Sequence, residues 1–417
     1  MPSPHPQIAI VGSGPGGLAL GVLLHKQKIP FTIFERRQKP TEEDLAKPSG
    51  MLDLHEESGL KAIREAGLYE AFLPRTNECA EDQKVLNMRG DVLWTDRGEL
   101  SERPEISRHA LTSLLDLCIP DACIKYGHKL VSATTVSSET GDARTELDFG
   151  PHGKHTFDLV VGADGAWSKV RALVTDITPS YAGSQNITAT IRQISTKYPH
   201  LAELVGRGSF SALGLRHGVM SQRGPMDSAR ILIFLSTDEA NFKKSKGLEG
   251  VTAVEAKDKF LNNDALLGRF GPAIKELVAV ACDEETADNP GAEVDIKSLY
   301  MLPIGVSWEH RANVTLIGDA AHLMCPWAGE GVNLALWDAL LLSQAIIKAW
   351  TDSKEDDASF QTALDPLMED FEKDMAARAG EKASETLTNG QMLFGDGAAN
   401  SLRNFFASAY GEPASQL

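Results

Sequence analysis

The residues best placed to do chemistry lie in the run GDAAHLMCPWAGEGVN, residues 318–333. An apolar strand leads to the carboxylate of Asp319, and a glycine turn then opens an apolar helix. A carboxylate accepts hydrogen bonds from sugar-like hydroxyls, while a helix N-terminus offers free N–H groups and about half a positive charge. The segment is therefore predicted to bind a polar ligand; the alternative is a strand that ends in an Asp capping a helix.

A second glycine-rich segment lies at the N-terminus, in QIAIVGSGPGGLALGVLLHKQKIPFTIFER. A buried strand precedes Gly12, Gly14 and Gly17, which fit G-x-G-x-x-G, and an apolar helix follows them. The first glycine allows a tight turn, the second lets backbone approach a pyrophosphate, and the third lets helix and strand pack closely. Glu35 ends the next strand, where an acid binds ribose hydroxyls. The pattern predicts a dinucleotide site without separating NAD from FAD; the alternative is a glycine-rich turn that binds no nucleotide.

A third segment, FDLVVGADGAWSKVRALV, predicts a strand over residues 157–162, then Asp164-Gly165, then a helix from about Ser168. Three strand–turn elements from distant parts of the chain can meet at the carboxyl ends of one parallel sheet, where such folds bind ligands.

With these three motifs in this order, the chain resembles the group A FAD-dependent aromatic hydroxylases, which have the para-hydroxybenzoate hydroxylase fold, over roughly residues 7–380. SGMLDLHEESGLKAIREAGL and DLVVGADGAWSKVRALVTD look most like the tetracycline-inactivating monooxygenases and their fungal relatives. The resemblance implies an α/β fold class: a Rossmann-like FAD-binding domain, a mixed β-sheet substrate domain and a C-terminal helix.

The resemblance also implies which residues meet FAD. Glu35 would hold the adenosine ribose, Arg108 the ribityl and phosphate region, and Asp319 the ribityl chain near the pyrophosphate. The backbone of 329–333 would face the pyrimidine edge of the flavin, with positive potential that favours the reduced, anionic state. Lys47 stands where relatives carry an Arg. The implied cofactor residues are Gly12, Gly14, Pro15, Gly17, Glu35, Arg36, Lys47, Arg108, Asp164, Asp319, Pro326, Gly329, Gly331, Val332 and Asn333.

The domain prediction assigns residues 1–72, 100–180 and 299–350 to a discontinuous FAD-binding domain. Residues 73–99 and 181–298 would form the substrate domain, and 351–417 a C-terminal helical segment. A late helix is expected from the apolar spacing of residues 360–375, with Asp365-Pro366 as its start.

Substrate contacts are predicted on one face of the run NITATIRQI. Its alternation places four polar side chains together, and a solvated face is the alternative. Trp327 is expected to face the same pocket, with core packing as the alternative, whereas Arg216-His217 reads as a surface loop. The strands near 209–215 and 229–236, where tetracycline-oxidising relatives carry polar anchors, have no His here and only Arg230 as a candidate, so the pocket looks more apolar and tetracycline is a doubtful substrate. The candidates are Asn186, Thr188, Thr190, Arg192 and Trp327.

The implied function is an FAD-dependent monooxygenase reduced by NADPH or NADH. It would use O2 through a flavin 4a-hydroperoxide to hydroxylate a phenolic or polycyclic aromatic substrate, as in antibiotic or secondary metabolism. One alternative is a flavin oxidase or dehydrogenase that needs no NAD(P)H, and another is a Baeyer–Villiger or epoxidising variant. A binding protein on a flavoprotein scaffold is a third. The flavin carries the difficult chemistry, so no catalytic side chain is assigned.

The composition limits the partners and the compartment. The 417 residues carry a net charge of −17, which argues against a nucleic-acid partner. The five Cys residues are odd in number and contain no Cys-x-x-Cys pair, which favours reduced thiols and no metal site. The N-terminus has no signal-peptide pattern, and no uninterrupted apolar run reaches membrane-spanning length. A monomeric cytoplasmic enzyme without stable membrane association is therefore expected.

Overall fold

The computed structural model describes residues 6–77, 82–96, 105–137, 143–355 and 359–411. Its strands are β1 Ile8–Val11, β2 Thr32–Glu35, β3 Met51–Asp53, β4 Thr76–Asn77, β5 Gln83–Asn87, β6 Val92–Asp96, β7 Glu105–Ser107, β8 Ile124–Tyr126, β9 Ser132–Ser137, β10 Ala143–Asp148, β11 Lys154–Phe157, β12 Leu159–Gly162, β13 Ser180–Ile191, β14 Ser209–Gly214, β15 His217–Gly224, β16 Ser228–Ser236, β17 Asp295–Met301 and β18 Val314–Leu316. Its helices are α1 Pro15–Lys26, α2 Glu42–Ala46, α3 Gly59–Ala66, α4 Tyr69–Phe72, α5 Arg108–Asp116, α6 Ile194–Lys197, α7 Pro199–Val205, α8 Phe242–Ser245, α9 Ala253–Leu261, α10 Pro272–Asp288, α11 Asp319–His322, α12 Gly331–Glu355, α13 Phe360–Phe394 and α14 Ala398–Tyr410.

A five-stranded parallel sheet in the order β18-β12-β1-β2-β8 carries the three motifs. Every residue of β1, β12 and β18 is buried, as expected for strands covered on both faces. Because these three strands are neighbours and parallel, the segments that follow them leave the sheet at the same edge. This arrangement confirms the predicted Rossmann-like α/β fold.

A second large sheet has seven strands in the order β17-β13-β16-β15-β14-β5-β6. It is antiparallel except for the parallel pair β14–β5, so the expected mixed sheet is confirmed. One face, which includes Ile187, Ile231 and Phe210, packs on α9 and α10 in a separate apolar core. The opposite face is left for other contacts. The exact domain boundaries stay a prediction.

The C-terminal helices link these two parts of the molecule. Phe371 and Met375 of α13 belong to the core of the parallel sheet. Farther along, α13 contacts β14 and β15, and α14 packs on β5 and β6 through Leu402 beside Trp94. The predicted start of α13 at Asp365-Pro366 is wrong: the helix begins at Phe360, because the Ser359 hydroxyl accepts a hydrogen bond from the Thr362 N–H.

Helix α12 is long and apolar. In the described part of the chain, Gly331–Lys354 is the single helix that could cross a membrane by length and composition, with a mean hydropathy of 1.3. It lies between α1 and α13 and buries Leu336, Leu342 and Ile346, which are the contacts of a core helix. Cys118, Cys123, Cys282 and Cys325 are free thiols, and Cys79 lies outside the described residues.

Candidate functional site

The loops after β1, β12 and β18 are joined by backbone hydrogen bonds at the edge of the parallel sheet. The N–H of Ala163 donates to Val11 at 2.8 Å, and that of Ile317 donates to Gly162 at 2.9 Å. Gly12 has φ +110°, and a Cβ there would lie 2.2 Å from the Ala163 carbonyl oxygen. The first glycine therefore serves this close backbone packing, and the three predicted segments form one site.

The start of α1 is open where the glycine motif predicts a phosphate. Gly14 precedes the helix with extended backbone, and Pro15 occupies the first turn, where its missing N–H costs nothing. A Cβ on Gly14 would meet no atom within 4 Å, whereas one on Gly17 would lie 2.1 Å from the Gly12 oxygen. The helix thus packs at Gly17 and leaves free space at Gly14.

Glu35 is buried, and its carboxylate is already occupied by protein donors. One oxygen accepts from the Ser13 N–H at 3.0 Å and the Ser13 hydroxyl at 2.9 Å; the other accepts from the Arg37 N–H at 2.8 Å and Nε at 3.0 Å. Burial would raise the pKa of Glu35, but these bonds outweigh it and lower the pKa. The neighbouring Arg36 is exposed.

Asp319 is the opposite case, because it has no hydrogen-bond partner among the described side chains. The residue is exposed, yet the protein packed around it raises the pKa of Asp319 by desolvation, against His322 and Arg108, which lower it. Arg108 begins α5, with its N–H bonded to the Gly50 carbonyl at 2.9 Å and its own side chain exposed. A second contact holds the segment of Lys47 to α5, since the Lys47 carbonyl lies 3.0 Å from His109 Nδ1.

Asp164 holds its own loop instead of pointing to an open recess. Its carboxylate accepts from the Ser168 hydroxyl at 2.5 Å and the Lys169 N–H at 2.7 Å, although burial raises its pKa. Sequence reasoning missed Arg171, which is buried and donates to the carbonyls of Ala320 at 2.9 Å and Ala166 at 2.5 Å. The expected helix from Ser168 is a short 3-10 turn at Arg171–Leu173, which places this guanidinium between the two motif loops.

Asp338 of α12 is a second missed residue. Its carboxylate is fully buried, accepts from the Gly318 N–H at 3.0 Å, and lies 2.6 Å from His322 Nε2. The other oxygen lies 3.4 Å from the Arg378 guanidinium. Burial would lower the pKa of His322, but Asp338 raises it overall. The signal was an Asp inside the apolar run NLALWDALLL, because a buried acid needs a partner.

The turn at Gly329–Gly331 presents open backbone to the same region. Gly329 has φ +70°, and a Cβ on Gly329 or Gly331 would meet nothing within 4 Å. Between them Glu330 is buried, and Pro326 nearby is exposed. The Asn333 side chain faces inward, accepting from the His55 N–H and donating to the Asp53 carbonyl, both at 2.9 Å. Val332, which lies between Gly331 and Asn333, is half-buried.

Three of the four polar residues predicted on one face of β13 share that face, and the fourth does not. Asn186, Thr188 and Thr190 stand opposite Phe234, Leu232 and Arg230 of β16, on the face away from the α9–α10 core. Arg192 does not share this face. Its Nε lies 2.7 Å from Asp288, at the end of α10. The alternation fails because the strand ends at Ile191 and Gln193 takes a left-handed conformation, φ 53°.

Trp327 joins the glycine turn to this sheet face. Its ring centroid lies 4.7 Å from that of Phe234 and 4.8 Å from that of Phe394 at the end of α13. Asn389 of α13 donates to the Trp327 carbonyl at 3.1 Å. An aromatic wall thus runs from the glycine turn to β16.

The expected surface loop at Arg216-His217 is wrong for His217. This side chain is buried, with Nε2 2.9 Å from the Ala265 carbonyl and Nδ1 accepting from the Ser236 N–H at 3.2 Å. Burial lowers its pKa. His217 is a structural link between β15, β16 and the loop before α10, rather than a ligand contact.

FAD fits this set of groups. Open backbone at Gly14 suits the pyrophosphate, and the open turn at Gly329–Gly331 offers N–H groups at a helix start. The carboxylate of Asp319 and the exposed guanidinium of Arg108, which have no side-chain partner among the described residues, suit hydroxyls and phosphate. A side chain in place of Gly14, Gly329 or Gly331 would fill the open space, and a protein partner at Asp319 or Arg108 would occupy the group that the ligand needs.

Comparison with known proteins agrees with this assignment. The chain matches the family described as FAD binding domain over residues 5–265 and 294–359. Monooxygenase penA of Penicillium thymicola is 32% identical over 431 residues, covering 96% of this chain and 98% of penA.

Two solved structures share the fold at low identity. HpxO of Klebsiella pneumoniae, crystallised with FAD and uric acid, has a TM-score of 0.73 at 15% identity and covers 98% of this chain and 94% of its own. Tetracycline destructase Tet(55) has a TM-score of 0.64 at 16% identity, with 99% of each chain covered. The family match and the penA relationship carry the assignment: the chain belongs to the FAD binding domain family and is an FAD-dependent monooxygenase.

Proposed function

We propose that this monooxygenase uses NAD(P)H to hydroxylate a phenolic or polycyclic aromatic substrate held under the seven-stranded sheet. The observation that carries the proposal is the aromatic wall of Trp327, Phe234 and Phe394 between the glycine turn and the polar face of β13. A planar ring can pack on such a wall, and aromatic pairs add about 0.5–1.5 kcal/mol beyond the area they bury.

Two polar groups on the same face support a substrate with a hydroxyl or carbonyl. Asn186 Oδ1 is buried and has no hydrogen-bond partner among the described residues. Arg230, opposite Thr190, is half-buried and makes no hydrogen bond or ion pair within the described chain; burial lowers its pKa, against the pull of Asp295 and Glu285. A buried polar group without a partner is costly, so a ligand that satisfies these groups would bind favourably.

When bound, FAD would supply the redox chemistry, taking electrons from NAD(P)H and reacting with O2. The chain's own part would be to bind and orient. Asp319 and Arg108 would hold the flavin's side chain, and the turn at 329–331 would place N–H groups where negative charge develops. The sheet face and the aromatic wall would exclude water and align the substrate ring. The reductant would dock transiently.

The test is NADPH and NADH oxidation by the FAD-loaded protein with a panel of phenols and polycyclic aromatics, with oxygenated product identified by mass spectrometry. We expect one compound class to stimulate NAD(P)H consumption and to gain one oxygen atom. Oxidation of a substrate without any reductant would instead identify an oxidase or dehydrogenase. Insertion of oxygen into a ring bond or a double bond would identify the Baeyer–Villiger or epoxidising variant.

A matched pair of variants tests the pocket assignment. Trp327→Ala removes the ring between the two halves of the aromatic wall, so we expect weaker substrate binding with FAD retained. Trp308→Ala is the control, because Trp308 lies away from the wall, in the loop at 307–310 that faces Glu372 and Ala376 of α13. Equal substrate affinities of both variants and the wild type would place the pocket elsewhere. A monomeric state and a cytoplasmic location stay predictions.

A further inference from the structure

An ionic cluster around the buried Glu330 lies against the glycine turn and also contains Asp53, His55 and Lys382, which are partly exposed; we call it the Glu330 cluster. One Glu330 oxygen lies 2.7 Å from Lys382 Nζ on α13, and the other lies 3.4 Å from His55 Nδ1. His55 Nε2 in turn lies 3.5 Å from the Asp53 carboxylate at the end of β3. The cluster therefore joins three segments that are far apart in the sequence.

The position of Glu330 gives the cluster its meaning. It lies between Gly329 and Gly331, where an added Cβ would face open space, while Glu330 as a whole residue is only 7% exposed. Two flanking glycines leave the turn intrinsically free to change conformation, so something must hold it. The carboxylate is clamped from both sides, whereas an exposed Glu at this position would leave the turn free.

Further contacts hold the same stretch of chain to α13. Thr386 lies 3.7 Å from the Met324 sulfur, and Asn389 bonds to the Trp327 carbonyl. Lys382, Thr386 and Asn389 are four and three residues apart, so they occupy one side of the helix. One stripe of α13 thus supports the whole segment that would meet the flavin ring.

We propose that Glu330 is a positioning residue: the Glu330 cluster fixes the glycine turn against bound FAD, and so sets FAD affinity and the reduction potential. The proposal rests on the FAD assignment and not on the proposed substrate. The pKa directions agree with a charged cluster, since hydrogen bonds to Asp53 and Glu330 raise the pKa of His55 to about 9, and Glu330 raises that of Lys382.

Two substitutions of opposite charge separate positioning from simple electrostatics. Lys382→Met removes a cation and Glu330→Ala removes an anion, yet both break the clamp. Positioning therefore predicts that both weaken FAD binding, on the order of fivefold or more, in fluorescence titrations of the apoprotein. A purely electrostatic role predicts opposite shifts, because the loss of an anion near the anionic reduced flavin would favour binding and raise the reduction potential.

Two controls change Lys382 or its other partner. Lys382→Arg keeps the charge and should retain wild-type affinity. Glu385→Gln removes the exposed second partner of Lys382, 3.1 Å away, and should also be silent. Far-UV circular dichroism of each apoprotein checks folding, and dye equilibration gives the flavin potential. Shifts of opposite sign for Lys382→Met and Glu330→Ala, or unchanged affinity and potential in both, would overturn the proposal, whatever the outcome of the substrate assays.

Discussion

Two acids at strand ends show how far a residue's role depends on its partners. A carboxylate has about four lone-pair sites, and Ser13 and Arg37 already fill those of Glu35. Among the described side chains Asp319 has no such partner, although desolvation raises its pKa. A ligand hydroxyl can bind Asp319 at once, whereas it would have to share or replace a donor at Glu35.

Asp319→Ala should therefore weaken FAD binding without unfolding the protein. A hydrogen bond to a charged group is worth about 1.5–3 kcal/mol, so the dissociation constant should rise roughly 10- to 150-fold. The thermal midpoint of the apoprotein should stay unchanged or rise slightly, since a poorly compensated acid is lost. Fluorescence titration and circular dichroism melting measure the two quantities. Full FAD occupancy at wild-type affinity would show that the assignment of Asp319 is wrong.

The pH dependence of stability should carry a contribution from His55. Its pKa is raised from 6.5 to about 9 by Asp53 and Glu330, so its stabilisation is complete below pH 6.5 and is lost as the pH rises through 9. The contribution is about 3 kcal/mol at most. His310 and His322 also have raised pKa values, so the measurement is a difference. Urea unfolding of wild type and His55→Gln should converge near pH 9.5; a constant gap from pH 6 to 9.5 would contradict this linkage.

For single residues, the sequence predicts roles that depend on neighbouring positions and misses partners that are far away along the chain. Asp319 and Gly14 could be proposed as ligand contacts because strand, turn and helix lie within one short segment. The bond between the His55 N–H and Asn333 joins residues 278 positions apart, and no local pattern announces it. Arg192 was misplaced because strand alternation holds only while the strand continues, and a left-handed residue at 193 ends it.

At the scale of elements, the strand–turn–helix unit β1–α1 separates two uses of glycine. Gly12→Ala should destabilise the apoprotein by about 3 kcal/mol or more, because its Cβ would overlap the Ala163 carbonyl at φ +110°. Gly14→Ala should leave the apoprotein midpoint nearly unchanged, since its Cβ meets nothing, but should weaken FAD binding by filling the space for the phosphate. Thermal melting and FAD titration of both variants check this; equal behaviour of the two would contradict it.

Element types were predicted better than their ends. The apolar spacing of residues 360–375 correctly indicates a helix, but Pro366 suggests a start that the structure moves to Phe360. A hydroxyl cap at Ser359 provides the stronger signal, and a Pro inside a long packed helix is tolerated at the cost of one hydrogen bond. The buried Asp338 likewise shows that an apolar helix can carry a supporting acid for a loop twenty residues away.

Over the whole molecule, α13 and α14 connect the parallel sheet to the seven-stranded sheet. Met375 packs in the core of the parallel sheet. Phe394 contacts Phe234 and Trp327, and Leu402 packs against Trp94 of β6. The sequence predicted a C-terminal helix but not this continuous path. It could not have done so, because packing partners far apart in the sequence leave no local periodic signal.

This path predicts that FAD stabilises both parts of the molecule together. A ligand at 100 times its dissociation constant adds about 2.7 kcal/mol to the folded state. If α13 couples the two cores, scanning calorimetry should give one transition that moves upward as a whole when FAD is added. Phe394→Ala should weaken the coupling and split the transition, with the FAD-sensitive part alone responding. Two separate transitions in the wild type, of which only one shifts with FAD, would show that the cores unfold independently and that α13 belongs energetically to the parallel sheet alone.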